Sequence, residues 1–220
     1  TLFSESAWPV LLNAPVNFEF GGVRGSMNSW RDFGRWNYEL IKDQDVLPLD
    51  EVSNIKELVK ETSDEKVKIK ILYEYMQSRT RYVSIQIGIG GWRPASAEAV
   101  SKNGFGDCKG LANYMKAILS AAGIESFYTL VSAGEKMDKY MNFVSASFNH
   151  VILCIPVRKD TVWLECTSQD LPFNYLGNFT DDRLALLVTD KGGVIVKTPK
   201  FSKEENLYKK GGEVTIYETG

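Results

Sequence analysis

The stretch NGFGDCKGLANYMKAIL, residues 103–119, sets a cysteine where a glycine-broken loop becomes an amphipathic helix. Leu111, Met115, Ile118, Leu119 and Ala122 recur at helical spacing, and Gly123 is a fitting C-terminal stop. The pattern predicts one core helix with Cys108 at its start. A thiolate placed there is stabilised by free backbone N–H groups and by the macrodipole. The same N–H groups can donate to an oxyanion formed when sulfur attacks a carbonyl. Gly104, Gly106 and Gly110 leave room for a substrate backbone, and Lys109 adds positive charge if its side chain turns toward the sulfur. The alternative is a small buried hydrophobe in the first helical turn, a common setting for a free cysteine.

Beyond this helix the period changes. SFYTLVS, FNHVILCIP, TVWLECT, LALLVTD and GVIVKT read as strands, with turn signals at VRKD (157–160) and KGG (191–193). Upstream, Val52, Ile55, Leu58 and Val59 mark a helix from Asp50. A second helix follows a capping-box pattern from Thr62 to Glu65, with Val67, Ile71, Leu72, Tyr75 and Met76 as its apolar stripe. RYVSIQI (81–87) reads as extended and GIGGWRP (88–94) as loop. Helices followed by a run of strands predict an α+β fold, a mainly antiparallel sheet packed on the cysteine helix.

Residues 1–48 lack a helical period and read as an irregular arm, docked through Trp8, Trp30, Phe33 and Trp36. It is expected to be the end of a preceding domain or a linker from it. The core is expected over 49–200. The charge-rich segment from Phe201 reads as a linker, and EVTIYE as the first strand of a further β domain over 201–220. The chain starts TLFSESAW, so a fragment of a longer protein is expected.

The chain has a single histidine, His150, which stands at the start of the strand FNHVILCIP. If VRKD forms a two- or four-residue hairpin, Pro156 faces Thr161, His150 faces Thr167 and Ile152 faces Glu165. His150 and Glu165 are then diagonal neighbours on one face, roughly 7–8 Å apart at the backbone and within side-chain reach. A carboxylate there can bond one imidazole nitrogen and fix the tautomer while the other faces a thiol. A three-residue loop would flip this parity. The alternatives are a surface or satisfied core histidine and a solvent-facing glutamate. By the same register Cys154 shares the face of His150, whereas Cys166 lies opposite to Glu165, so no bridge joins the two cysteines.

Composition excludes several classes. With 220 residues, 44% apolar and 25% charged, the chain can bury one sizeable core. Its 26 basic and 28 acidic residues leave a net charge of -2, which gives no global case for nucleic acid or anionic lipid. No apolar run of about 18 residues is present to span a membrane. One histidine and three scattered cysteines without CxxC or HxxxH spacing make a metal site improbable. The glycines of GIGGW match no dinucleotide or phosphate loop, so no cofactor is expected.

Taken together, GFGDCKGLANYMKAILSAAGI, FNHVILCI and VWLECTSQ resemble the nucleophile, histidine and third-residue segments of the transglutaminase-like superfamily, the cysteine acyl-transfer fold related to papain-type peptidases. The match is strongest over about 64–190. RYVSIQIGIGGWRPASAEAV and PFNYLGNFTDDR resemble a bacterial subfamily in which this core follows an N-terminal β-rich domain of unknown function, and SWRDFGRWNYEL resembles the junction after that domain. The resemblance implies Cys108 as nucleophile, His150 as general base and later acid, and Glu165 as orienting carboxylate where the family usually has aspartate. It also implies that Gln86 or Trp92 completes an oxyanion hole with the Cys108 N–H. No cofactor is implied, and an exported, periplasmic or extracellular, protein is. The expected activity is acyl transfer on an amide through a thioester: hydrolysis of a peptide or protein substrate, or transfer to an amine. A catalytically idle module that binds peptide or protein, and an arylamine-type acyltransferase, are the other readings.

Overall fold

The computed structural model describes residues 11–134, 136, 141–158, 160–207 and 209–215. Its centre is a five-stranded sheet in the order β7-β6-β5-β8-β9, every neighbouring pair antiparallel. The strands are β5 (Phe127–Val131), β6 (His150–Val157), β7 (Asp160–Leu164), β8 (Leu184–Thr189) and β9 (Gly192–Lys197). The molecule is thus mixed α and β with a mainly antiparallel sheet, and all five strands fall on segments predicted from alternation. β6 and β7 pair Val157 with Asp160 and Pro156 with Thr161, as the hairpin arithmetic requires. β7 ends at Leu164, so Glu165 stands one residue past the ladder.

The helix α5 (Cys108–Ala121) lies on one face of this sheet. Asp107 is its N-cap, the carboxylate accepting from the Gly110 N–H at 2.9 Å. Leu111, Met115, Ile118 and Leu119 are fully buried against Tyr128, Leu130, Val151, Leu153 and Ile155 of the strands. At about 25 cal/mol per Å² of apolar surface, such side chains each contribute roughly 1.5–3 kcal/mol. The opposite face of the sheet carries a smaller cluster, Val131, Ile152, Cys154, Trp163, Leu176 and Ala185.

Further elements are α1 (Trp30–Ile41), α2 (Leu49–Leu58), α3 (Glu65–Arg79) and α4 (Ala97–Asn103), with the hairpin β1 (Asn17–Phe20) and β2 (Val23–Ser26) and the parallel pair β3 (Arg81–Tyr82) and β4 (Phe105–Gly106). Among the described residues, α2, α3, α4 and β4 pack against α5, while α1 lies on β8 and β9 and carries the hairpin of β1 and β2. A one-turn helix α6 (Gly177–Thr180) precedes β8. Among the described residues no helix is long and apolar enough to cross a membrane.

Several local expectations differ from what is observed. Of the expected irregular arm, residues 1–10 lie outside the described residues, and within 11–48 Ser29 caps α1 by accepting from the Asp32 N–H at 3.1 Å, and Phe33, Trp36, Leu40 and Ile41 enter the shared core. The cap of α3 is Asp64, which accepts from the Val67 N–H at 3.1 Å, while Thr62 only receives the Asp64 N–H. Of the segment 81–87, read as extended, Arg81 and Tyr82 form a strand, and Gly88–Gly91 is a 3-10 turn rather than open loop. In EVTIYE, 213–215 form no strand and 216–218 lie outside the described residues, as does Trp8.

Candidate active site

α5 and β6 begin beside one another, and this brings Cys108 to His150. By strand alternation His150 shares the face of Ile152 and Cys154, away from α5, but the first turn of the helix reaches the end of the sheet where the imidazole stands. Both side chains line the same two cavities. His150 Nε2 lies 2.7 Å from Glu165 Oε2, which leaves Nδ1 as the ring nitrogen not held by the carboxylate. All three residues are buried, at 4%, 8% and 5% exposure for Cys108, His150 and Glu165.

Glu165 is held as well as holding. Its Oε1 accepts from the Thr167 N–H at 3.0 Å and from the Thr167 hydroxyl at 2.6 Å, and its own carbonyl accepts from Tyr73 at 2.7 Å. Both carboxylate oxygens are therefore occupied, which fixes the angle at which Oε2 meets the imidazole. Burial pushes this carboxyl up, yet the His150 and Thr167 hydrogen bonds outweigh it and the net shift is downward. Burial likewise works against a charged imidazole. Hydrogen bonding to Cys108 and Glu165, and their negative charge, overcome it and raise His150 to about 9. The imidazolium and the Glu165 carboxylate are the favoured states at neutral pH.

Neighbouring loops keep the imidazole in place. The carboxamide of Asn149, the residue before His150, bonds both the N–H and the carbonyl of Ala133, at 2.7 and 3.2 Å. Phe179 of α6 sets its ring against the imidazole in a T-shaped contact with centroids 5.5 Å apart. The fully buried Arg183 ties these walls together, donating to the carbonyls of Ser132 (2.6 Å), Gly134 (3.2 Å), Asn178 (3.1 Å) and Asp181 (2.9 Å).

Gln86 and Trp92 both line one of these cavities beside Cys108. Gln86 is exposed, whereas Trp92 is half-buried with its indole edge-on to Trp36 at 5.4 Å. Neither makes a side-chain hydrogen bond among the described residues. Lys109 does not add its charge to the sulfur: its ammonium is paired with Asp107, and both are buried. Cys154 and Cys166 are free and buried, the first pushed up to about 12 and the second also upward, both by burial. Cys108 lines two cavities. No group of three or more His, Cys, Asp and Glu among the described residues is placed to hold a metal ion.

Sequence reading missed Thr167 as the clamp on Glu165, and Asn149, Phe179 and Arg183 as supports of His150. The adjacency of Asn149 to His150, and the Glu-x-Thr spacing, were the available signals for the first two. Phe179 and Arg183 come from chain distant in sequence, and nothing local announces them.

This fold has relatives among solved structures. It is similar to a crystal structure from Parabacteroides distasonis described as a candidate protease, with a TM-score of 0.56 and 15% identity over 76% of this chain and 31% of that one. A structure from Cytophaga hutchinsonii described as a candidate cysteine protease aligns with a TM-score of 0.42 and 13% identity, over 58% of this chain and 42% of that one. This chain therefore spans less than half the length of either. No protein-family model matches the chain, and no curated protein does.

Proposed function

We propose that the chain carries the core of a cysteine peptidase or amidase of the transglutaminase-like kind, with Cys108, His150 and Glu165 as its catalytic triad. One observation carries this reading. The only imidazole of the chain is held by a buried carboxylate on one nitrogen and lines the same two cavities as a thiol at a helix N-terminus. The Cys108 thiolate attacks the amide carbonyl, forming the C–S bond as the carbonyl π electrons move to oxygen. The Cys108 N–H, with Gln86 or Trp92 as second donor, receives the oxyanion. Collapse breaks the C–N bond, and His150 gives its proton to the departing amine. His150, now neutral, takes a proton from water, whose oxygen attacks the thioester; the thiolate leaves and the carboxylic acid is released. Glu165 stays ionised throughout and stabilises the imidazolium.

The test is iodoacetamide labelling of each cysteine, resolved by mass spectrometry from pH 5 to 9, beside His150→Ala. Cys108 is expected to label first and to slow by at least about tenfold without His150. Hydrolysis of a mixed peptide library should be lost with Cys108→Ala. Labelling of Cys108 that ignores His150, with no peptide cleaved, sinks the proposal and leaves a module that only binds.

A further inference from the structure

Lys109 departs from two local rules. It stands in the first turn of α5, where the macrodipole disfavours a cation, and it is 6% exposed although lysine is rarely buried. Its ammonium has one acceptor among the described residues, Asp107. Two of its three N–H donors are therefore left without a partner among the described residues. Departures of this kind concentrate where function demands them, and Lys109 lines the cavity into which Cys108 and His150 open.

Asn37 of α1 supplies the complementary atom. It is 4% exposed and lines the same cavity. Its Nδ2 donates to the Phe33 carbonyl at 2.9 Å, which identifies the other terminal atom as oxygen. That Oδ1 accepts nothing among the described residues. The cavity holds about 260 Å³ between the rings of Phe33, Trp92 and Phe148. Drug-sized sites begin near 300 Å³, so this is room for one large side chain rather than a whole small molecule.

Charge narrows the occupant. The Asp107 and Glu165 carboxylates already face Lys109 and His150, and attack requires a thiolate as well. An anionic side chain would add uncompensated negative charge, and a cationic one would meet Lys109. A flat neutral body whose tip both accepts and donates fits the three rings, the Asn37 oxygen and the remaining Lys109 donors. We propose that this cavity is the specificity pocket of the site and receives a tyrosine side chain of the substrate, its hydroxyl accepting from Lys109 and donating to Asn37. The substrate role rests on the acyl-transfer reading of Cys108; the preference itself is a binding property and needs no turnover.

The test is titration of N-acetyl-tyrosinamide, N-acetyl-phenylalaninamide and N-acetyl-glutaminamide into the 220-residue chain. The readout is the indole N–H resonance of Trp92, assigned with Trp92→Phe. Tyrosinamide should bind about tenfold to a hundredfold more tightly than phenylalaninamide, because the phenyl ring displaces water from Asn37 Oδ1 and the remaining Lys109 donors without replacing its hydrogen bonds. The pair Asp107→Asn and Lys109→Met keeps the helix cap and the side-chain volume but removes both charges; there the advantage should shrink to about twofold or less. Asn37→Leu, which leaves the ion pair intact, should weaken it too and serves if the double variant does not fold. Equal binding of the two aromatics, tighter glutaminamide, an advantage that survives these changes, or no response overturns the proposal. A tyrosine preference without cleavage of tyrosine-containing peptides would overturn the acyl-transfer reading instead, and cleavage indifferent to tyrosine would overturn only the pocket.

Discussion

The length of Glu165 is what closes the His150 bond. Position 165 is diagonal to 150 across β6 and β7, and diagonal backbones are roughly 7–8 Å apart. The longer carboxylate spans that gap and still has Oε1 free for Thr167. Glu165→Asp shortens the reach by one methylene. It is expected to lower kcat on any cleaved peptide by about tenfold or more, despite conserving charge. Glu165→Gln keeps length but removes the charge that stabilises the imidazolium, and should cost roughly 10²–10⁴ in kcat. Equal rates for the aspartate variant would show that the carboxylate does not orient the ring. The raised value of His150, about 9 against an ordinary 6.5, also ties the site to stability. A folded-state value above the unfolded one means stabilisation that is complete below about pH 6.5 and is lost as pH rises through about 9. Urea midpoints of the wild type and His150→Gln should therefore converge between those limits, by up to about 3 kcal/mol. A constant gap from pH 6 to 9.5 would refute the coupling.

At the scale of the element, α5 depends on Asp107 for two contacts at once: the N-cap bond to Gly110 and the ion pair with Lys109. Losing a cap alone costs about 1 kcal/mol. Leaving a buried ammonium unpaired costs about 3–5 kcal/mol, so the second effect dominates. Asp107→Ala should destabilise the fold by about that larger amount, and adding Lys109→Met should restore most of it. If the double variant is no better than the single one by urea denaturation, Lys109 is not the reason. The element scale is also where the sequence was most and least readable. The β6–β7 hairpin was legible because alternation and a short polar turn leave few registers. The direction of Lys109 was not, because both the sulfur and Asp107 lie within reach of a long flexible side chain. α1 carried its signals, Ser29 with Asp32 and the spacing of Phe33, Trp36 and Leu40. A glycine at 34 and large aromatics outside the usual helix-former set obscured them.

At the scale of the whole molecule, the site is a joint product of segments that never meet in sequence. α1 supplies Phe33 and Asn37 to the cavity wall, α5 the thiol, β6 the imidazole and the turn after β7 the carboxylate. What ties α1 to the sheet is a contact between glycines. A Cβ added at Gly34 would lie 2.1 Å from the Gly193 Cα and 2.2 Å from its nitrogen, both backbone atoms of β9 that cannot turn aside. Trp30, at the start of the same helix, also bonds through its indole to the Met141 carbonyl at 2.8 Å. Gly34→Ala gains about 1 kcal/mol of helix propensity, but the backbone clash forces α1 off the sheet and costs about 3 kcal/mol or more. The expected result is a net loss of stability in urea together with a shift of the Trp92 indole resonance, because Phe33 and Asn37 move with the helix. Gly211→Ala, where an added Cβ meets nothing within 4 Å, is the control and should leave both readouts unchanged. A Gly34→Ala protein as stable as the wild type would mean that α1 tolerates displacement and that the cavity wall is not fixed by this seam. A destabilised protein with an unmoved Trp92 resonance would place the strain in β9 and free the site from it.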